Sequence, residues 1–308
     1  MANNLVHGTL VLLVQQQAGA WMPCRNLFCG QRRLQEADDM HTEAVRLVGS
    51  SEAAWFLERG DHYILLAGLR RRQVRFSEAE ELLQQAIVDA RGDQNQLQSI
   101  ALEKALLAFD MGQHDVGIKG LLLFIDQCDD DDGLLVAARN SLGWLHFCQH
   151  DWAGALKQFE RAAGMLGCFV DGSADLEMAI GFAGTAAAQM RLLPDASALA
   201  YEEKATRLLD RFPFQQADGV QIARYCLGVC KVLRGCDEEG QQLFADALSL
   251  QHKLFAADHP NNACFQSNFA RFGRVDASVI PANQDHLQEK VLEQHRATVS
   301  LVANASDI

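Results

Sequence analysis

The chain has 308 residues, of which 49% are hydrophobic and 22% are charged, and only 5 are proline. This amount of apolar material excludes an intrinsically disordered protein, because its burial offsets the entropy lost on folding, and the length excludes a small disulfide-stapled domain. The formal net charge of −13 argues against a nucleic-acid-binding protein, since a phosphate backbone attracts a positive surface.

Residues 1–50 are predicted to form an N-terminal helical segment that packs on the residues that follow. Positions 5–14 are mostly apolar, but no Lys or Arg precedes them, as a signal peptide would require. They are also fewer than the ~20 residues that span a bilayer. Residues 1–35 contain Arg25, Arg32 and Arg33 and no acidic residue, which is typical of a mitochondrial presequence. A targeting segment and a membrane-surface segment therefore stay as alternatives.

A spacing pattern recurs through residues 51–275. A small residue in one apolar stretch is followed 12, 16 and 19 positions later by a small, a large apolar and another small residue. The last three lie on one face of a helix, because steps of 4 and 3 match the helical period. The pattern predicts helix–turn–helix hairpins whose helices cross at the small residues. The clearest copies are Gly143 with Ala155, Phe159 and Ala162; Gly228 with Gly240, Phe244 and Ala247; and Ala67 with Ala79, Leu83 and Ala86.

Two further copies depart from the pattern. The copy that starts at Ala186 has Glu202 at the position of the large apolar residue. The copy near Leu107 has Lys119 where a small residue is expected, although its Gln-His-Asp at 113–115 recurs at 149–151. One hairpin cannot bury its apolar face alone, so we expect five to six repeats to share one continuous core.

This pattern resembles the tetratricopeptide repeat (TPR), a helix–turn–helix unit. The segment Lys253-Leu254-Phe255, the turn Asp258-His259-Pro260 and the element Asn268-Phe269-Ala270 are similar to the longer repeats of kinesin light chains. The resemblance implies an all-α fold, a right-handed superhelical α-solenoid of stacked hairpins. Residues 276–308 are predicted to hold a C-terminal capping helix, which shields the last apolar face of an open array.

The resemblance also implies a binding surface, because the first helix of each TPR hairpin lines the concave groove. It nominates these groove residues: Arg71, Arg72, Lys104, Asn140, Trp144, Phe147, Tyr225, Val229, Asn268 and Arg271. An Asn amide both donates and accepts, so it could bind a peptide backbone of any sequence, or else satisfy a nearby helix end or water. The run 70–72 could hold a peptide carboxylate, lie in solvent, or pair with the acidic residues at 78–81.

Nine cysteines, an odd number with irregular spacing, predict a reducing compartment, the cytoplasm or alternatively the mitochondrion. The spacing fits no zinc site, and Asp129–Asp132 do not match an EF-hand, which would need a glutamate at Arg139. No nucleophile elbow, P-loop or dinucleotide-binding motif is present in the sequence. We therefore expect no metal, no cofactor and no catalysis.

These features predict a non-catalytic adaptor that binds a peptide or helix of a partner protein in its concave groove. Two other functions stay open. The protein could be a structural subunit or assembly factor of a larger complex, held by its convex face or its termini. It could also be a regulatory protein that senses a peptide through a change in superhelix pitch. No nucleic-acid partner and no membrane span are expected.

Overall fold

The computed structural model describes residues 59–128, 133–165, 175–192, 196–212, 218–263 and 265–266. The predicted N-terminal segment at 1–50 and the predicted capping helix within 276–308 lie outside these residues. The described part contains no β-strand, and its helices are α1 Arg59–Arg72, α2 Phe76–Ala90, α3 Gln94–Asp110, α4 His114–Gln127, α5 Gly133–Cys148, α6 Trp152–Gly164, α7 Asp175–Leu192, α8 Ala196–Arg211, α9 Val220–Leu233 and α10 Asp237–Leu254. Helical turns follow at 260–263 and 265–266.

Consecutive helices pair as hairpins in the described residues: α1 with α2, α3 with α4, and so on to α9 with α10. The hairpins also pack on one another in chain order, α2 on α3, α4 on α5, α6 on α7, and α7 on α9. Such stacking gives each hairpin a neighbour against which to bury its apolar face. The predicted all-α solenoid of stacked hairpins is therefore confirmed.

A three-residue turn joins the two helices of four hairpins, and its middle residue has a left-handed backbone. These middle residues are Val74, Gly112, His150 and Gly235, with φ between 61° and 78°. In each turn the next residue donates its N–H to the carbonyl five residues back, at 2.9 Å. This bond satisfies a carbonyl that the helix end leaves unpaired, as in the Schellman motif. The turn geometry thus fixes each hairpin in the same way.

These turns correct the repeat register that the sequence suggested. The two Gln-His-Asp tripeptides are not equivalent, because His150 is the middle residue of its turn whereas His114 is the first residue of α4. The true equivalents are Gly112 and His150, which lie 38 residues apart, as do Val74 and Gly112. The recurrence of Gln-His-Asp is therefore two residues out of phase with the structural repeat.

With this register the second hairpin follows the pattern of the others except at its last position, where Phe124 replaces a small residue. Its anchor is Ala105 rather than Leu107, and Gly117, Leu121 and Phe124 follow 12, 16 and 19 positions later, all buried. A Cβ on Gly117 would lie 2.9 Å from the Ala105 carbonyl oxygen, so the two helices touch there. The departure assigned to Lys119 is therefore wrong, because Lys119 is exposed on the opposite side of α4.

Large rings pack directly over glycines where helices cross. A Cβ added to Gly143 would lie 2.9 Å from the Phe159 ring, and one added to Gly184 of the next hairpin would lie 2.5 Å from it. Phe244 lies in the same way over Gly228, at 2.7 Å. Both rings are fully buried. The predicted meeting of small residues and one large ring at each crossing is confirmed for these hairpins.

Candidate functional site

The first helices of the hairpins, α1, α3, α5, α7 and α9, form what we call the inner face, where the sequence predicted a groove. Trp144 and Phe147 of α5 and Tyr225 of α9 meet there, with Trp144 and Tyr225 edge to face and 5.6 Å between ring centroids. Phe147 and Tyr225 are 6.3 Å apart. Together with Val229 these side chains are at most 5% exposed. The structure therefore brings four predicted groove residues into the core rather than onto an open surface.

A segment after α10, residues 255–263 and 265–266, covers part of this face and is called the closing segment below. Its Phe265 ring lies 5.0 Å from Trp144 and 5.4 Å from Tyr225 and is buried. Its Ala256 N–H donates to the Arg72 carbonyl at the end of α1, at 2.9 Å. The last described hairpin is thereby linked to the first hairpin and to the third.

The two predicted arginines also contact this region. Arg71 Nε donates to Glu103 Oε1 at 2.7 Å, and its Nη1 donates to Asp110 Oδ2. His259 Nε2 of the closing segment lies 3.4 Å from the same Asp110 oxygen. Arg71, Glu103, Asp110 and His259 are all buried, and we call them the charge cluster. It joins α1, α3 and the closing segment through charged and polar side chains that are buried.

The charge cluster shifts the pKa of both Arg71 and Asp110 in favour of their charged forms. Burial by itself raises the pKa of the Asp110 carboxyl, but the positive charge of Arg71 outweighs it and holds that pKa below its ordinary value. Burial likewise lowers the pKa of Arg71, and the carboxylates of Glu103 and Asp110 outweigh it and raise that pKa. The Arg71–Asp110 pair is thus ionic at neutral pH, and the closing segment touches it through His259.

Arg72 binds a second carboxylate of the chain. Its Nη2 donates to Asp218 Oδ2 at 2.6 Å, and its guanidinium carbon lies 6.0 Å from the centroid of the Phe255 ring. Arg70 pairs with Glu78 at 3.3 Å, which confirms the alternative that the arginine run contacts the acidic stretch of α2. Both inner-face arginines, Arg71 and Arg72, therefore already hold carboxylates of this chain.

The remaining predicted residues are placed differently. The Asn140 amide donates to the backbone oxygen and to the carboxylate of Glu177, both at 2.8 Å, so its donor end is engaged with α7. Lys104 of α3 is exposed. Asn268 and Arg271 lie outside the described residues. A role of any of these ten residues in partner binding stays a prediction.

The carboxylates that complete the site are not apparent from the sequence. The sequence does not single out Glu103, Asp110 and Asp218, since nothing local connects them to arginines 32, 39 and 146 positions away. The motif Asp258-His259-Pro260 was noted, and it is the one signal that pointed to this region. Its contacts could not be read from spacing, because they depend on how far the array curves.

The described residues show no metal centre, since no three or more His, Cys, Asp or Glu side chains come close enough to hold one. Cys226 and Cys230, one helical turn apart on α9, are free and buried, and burial raises the pKa of the Cys226 thiol. In the same part of the chain no helix has the length and apolar character needed to cross a membrane.

Residues 135–165, which include most of α5 and all of α6, match the family model of the tetratricopeptide repeat. This part of the chain is a tetratricopeptide repeat. The fold is similar to the crystal structure of BtubC (BKLC) from P. vanneervenii, with 16% identity and a TM-score of 0.49 over 72% of this chain and 90% of that one. It is also similar to a Podosopora anserina protein named a kinesin light chain with nearly identical TPR-like repeats, with 14% identity and a TM-score of 0.44 over 62% and 93% of the two chains. No curated protein sequence matches the chain.

Proposed function

We propose that this protein is a non-catalytic protein-interaction scaffold whose partner contacts the outer layer of second helices, α2, α4, α6, α8 and α10. Tetratricopeptide repeats generally mediate protein–protein contacts, which supports the scaffold role. The observation that carries the choice of surface is the distribution of apolar side chains. Trp144, Phe147, Tyr225 and Val229 of the inner face are at most 5% exposed, whereas the most exposed large apolar side chains lie on α2 and α4.

The best-defined outer surface is the patch formed by Val116, Leu122 and Leu123 of α4, which we call the outer patch. These side chains are 57%, 47% and 59% exposed. They lie on the same side of α4 as Lys119, which is also exposed. Exposed apolar patches with a polar rim are typical of protein contact sites. Burying the outer patch against a partner would remove it from water, at ~25 cal/mol per Å² of apolar surface.

The stacked hairpins present this surface without rearrangement. The four described turns have the same backbone geometry, and the crossings are filled by fully buried rings. A preformed surface loses little conformational entropy on binding, so most of the contact free energy is retained as affinity. We also propose that the protein works in a reducing compartment, which is in line with its free cysteines at 226, 230 and 236.

Site-specific photocrosslinking in the full chain tests the outer surface. A photoreactive amino acid at position 123 should capture one partner protein, and the same group at Lys157, exposed on α6, serves as the matched control. The captured partner is then purified, and its Kd is measured for the wild type and for the triple variant Val116→Glu, Leu122→Glu, Leu123→Glu. We expect at least a tenfold loss of affinity for the triple variant, because charges replace the apolar contacts. Equal affinity of the two proteins would contradict the proposal.

A further inference from the structure

We propose that the partner segment which covers the outer patch is a basic amphipathic helix, a proposal that rests on the function proposed above. The apolar side of this helix contacts Val116, Leu122 and Leu123 of α4. Basic residues towards its two ends meet the carboxylates of Asp115 and Asp126, which belong to the first and the last turn of α4. The partner is thus recognised by its chemistry, an α-helix with apolar residues on one side and Lys or Arg about three turns apart.

The outer patch and the two carboxylates lie on one side of α4. With 3.6 residues per turn, six exposed residues fall within about 120° of the helix circumference. They are Asp115, Val116, Lys119, Leu122, Leu123 and Asp126. Gly117, Leu121 and Phe124 point the opposite way and are buried in the hairpin. One side of α4 therefore holds the hairpin together, and the other side is available to a partner.

Asp115 and Asp126 mark the two ends of the available side. They are eleven positions apart, which is about three whole turns and about 16 Å along the helix axis, so they lie nearly on one line. Among the described residues, no basic side chain comes within ion-pair distance of either carboxylate. The two carboxylates therefore provide two positions for cations of a partner, with Leu122 and Leu123 between them.

Asp126 is at the end of the helix that disfavours a carboxylate. The partial negative charge of the helix C-terminus repels it, and the last turn of α4 contains no basic residue that would compensate. A Lys or Arg of a partner placed there is attracted both by the carboxylate and by the helix dipole. This end of α4 is thus electrostatically incomplete in the single chain, and a cation completes it.

The charge of the outer layer also favours a basic partner. α2 has four acidic residues and no basic one, and α4 has two acidic residues and one basic residue. By contrast, α6 and α8 together have four acidic and five basic residues. The most exposed large apolar side chains, Val88 and the outer patch, therefore lie on the acidic part of the layer. α10 is acidic too, but its large apolar side chains are not exposed.

This combination selects against other occupants of the outer patch. An acidic segment, an anionic membrane surface and a second copy of this chain, whose net charge is −13, are all repelled by the acidic side chains around the patch. Opposite charge, in turn, speeds the encounter with a basic helix and fixes its position on α4.

Lys119 adds a further requirement for the partner helix. It is exposed between the two carboxylates, on the same side of α4. A partner residue that faces Lys119 is therefore acidic or uncharged, since a like charge would be repelled. The expected pattern is basic, acidic and basic along one side of the helix, next to large apolar residues. This pattern distinguishes the proposed helix from a uniformly basic segment.

Two fluorescent synthetic peptides, each an Ala-rich helix of about 18 residues, test the charge pattern on the full chain. Both contain the same pair of leucines. The first has Lys at two positions eleven apart and Glu between them, and the second has these charges exchanged. We expect the first peptide to bind the wild type at least tenfold more tightly than the second. For the double variant Asp115→Lys, Asp126→Lys the order should reverse, because its three lysines now attract the second peptide.

The double variant Glu203→Lys, Asp210→Lys is the matched control. It changes the net charge by the same amount at exposed positions of α8, and it should bind both peptides as the wild type does. Circular dichroism checks that all variants are folded. Three results would each overturn the proposal: equal affinity of the wild type for the two peptides, no binding of either peptide, or an unchanged order in the variant of α4. An equal reversal in the α8 control would overturn it as well, because net charge alone would then explain the binding.

The partner captured by photocrosslinking distinguishes a wrong helix type from a wrong surface. If its affinity falls for Val116→Glu, Leu122→Glu, Leu123→Glu but not for Asp115→Lys, Asp126→Lys, the outer surface is used and the basic helix is wrong. If neither variant changes the affinity, the proposed function itself is wrong. Analytical ultracentrifugation covers the remaining occupant. A wild-type dimer that the triple variant abolishes would identify a second copy of this chain on the patch and overturn the assignment to a basic helix.

Discussion

The hairpin crossings and the charge cluster are both buried, yet they are built from opposite chemistry. At the α5–α6 crossing a phenyl ring lies on glycine, with Gly143 and Gly184 on either side of Phe159. In the charge cluster, Arg71 and Asp110 meet between α1, α3 and the closing segment. Dispersion and apolar burial stabilise the first kind of contact outright. Buried ionic contacts contribute little net stability but tolerate few alternative arrangements. The crossings therefore supply most of the stability, and the charge cluster determines which elements meet.

Gly184→Leu tests the apolar hairpin crossing and should have the largest effect. A single added Cβ would already lie 2.5 Å from the fully buried Phe159 ring, so the larger side chain cannot fit without moving the helices. We expect a loss of ~3 kcal/mol or more in the free energy of unfolding, at the upper end of overpacking effects. Urea denaturation measures it. Gly164→Ala is the control, because a Cβ there meets nothing within 4 Å and should be neutral or slightly stabilising.

Asp110→Ala tests the charge cluster. It removes one carboxylate from Arg71, which is buried and keeps only Glu103, and we expect a loss of about 3 kcal/mol at neutral pH. Glu78→Ala, which breaks exposed pairs with Arg70 and Arg75, should cost less than ~1 kcal/mol and is the control. A similar loss for both variants would remove the distinction between buried and surface pairs.

The pH dependence of the Asp110→Ala effect follows from the lowered pKa of that carboxyl. The folded state holds Asp110 ionised below the pKa of the unfolded chain, which is ~3.9. Its contribution is therefore fully present above about pH 4 and is lost as the pH falls through the folded pKa. The free energies of unfolding of wild type and variant, measured in parallel at several pH values, should differ less as the pH falls. A difference that grows as the pH falls would have the wrong sign.

The crossings could be predicted from the sequence because their residues are close along the chain. The spacing of Gly143, Ala155 and Phe159 is set by one turn and two helical periods, so it can be recognised within a short stretch of sequence. The predicted register is wrong at Ala105, because it aligns the repeats on the Gln-His-Asp tripeptide and not on the turn. What fixes the register is the left-handed residue in the turn, and Gly112 and Gly235 supply it in two of the four turns.

The charge cluster could not be predicted, because its residues are distant in sequence and no rule of spacing connects them. Arg71 and His259 are 188 positions apart, and their meeting depends on the curvature that the intervening hairpins add up to. Glu202 is a second example. The sequence shows that a carboxylate replaces the large apolar residue at this position, but it does not show which groups bind that carboxylate. The structure places Arg234 and Lys231 at 3.0 and 3.3 Å from its carboxylate.

His62 on α1, in the same hairpin as Arg71, gives a second test based on pH. Burial lowers the pKa of His62 to about 4, whereas the unfolded chain titrates near 6.5. Between these values the unfolded state binds the proton and the folded state does not, so stability falls as the pH decreases, by up to ~1.4 kcal/mol per pH unit. We expect His62→Gln to flatten this part of the stability profile between pH 6.5 and 4. An unchanged slope would show that His62 is protonated in the folded protein.

The smallest expected effect concerns the turns that set the hairpins. Val74 has φ 61°, a left-handed backbone that is strained for a β-branched residue, whereas Gly112 and Gly235 occupy the same turn position without that cost. We expect Val74→Gly to raise the free energy of unfolding by about 1 kcal/mol, because relief of this strain exceeds the added entropy of the unfolded glycine. Gly235→Ala is the reciprocal control: its Cβ would meet nothing within 4 Å, so its expected loss of about 1 kcal/mol comes from the backbone alone. If Val74→Gly destabilises instead, the Val74 side chain must stabilise the first hairpin by more than its backbone strain costs, and local turn geometry alone would not explain why the hairpins share one shape.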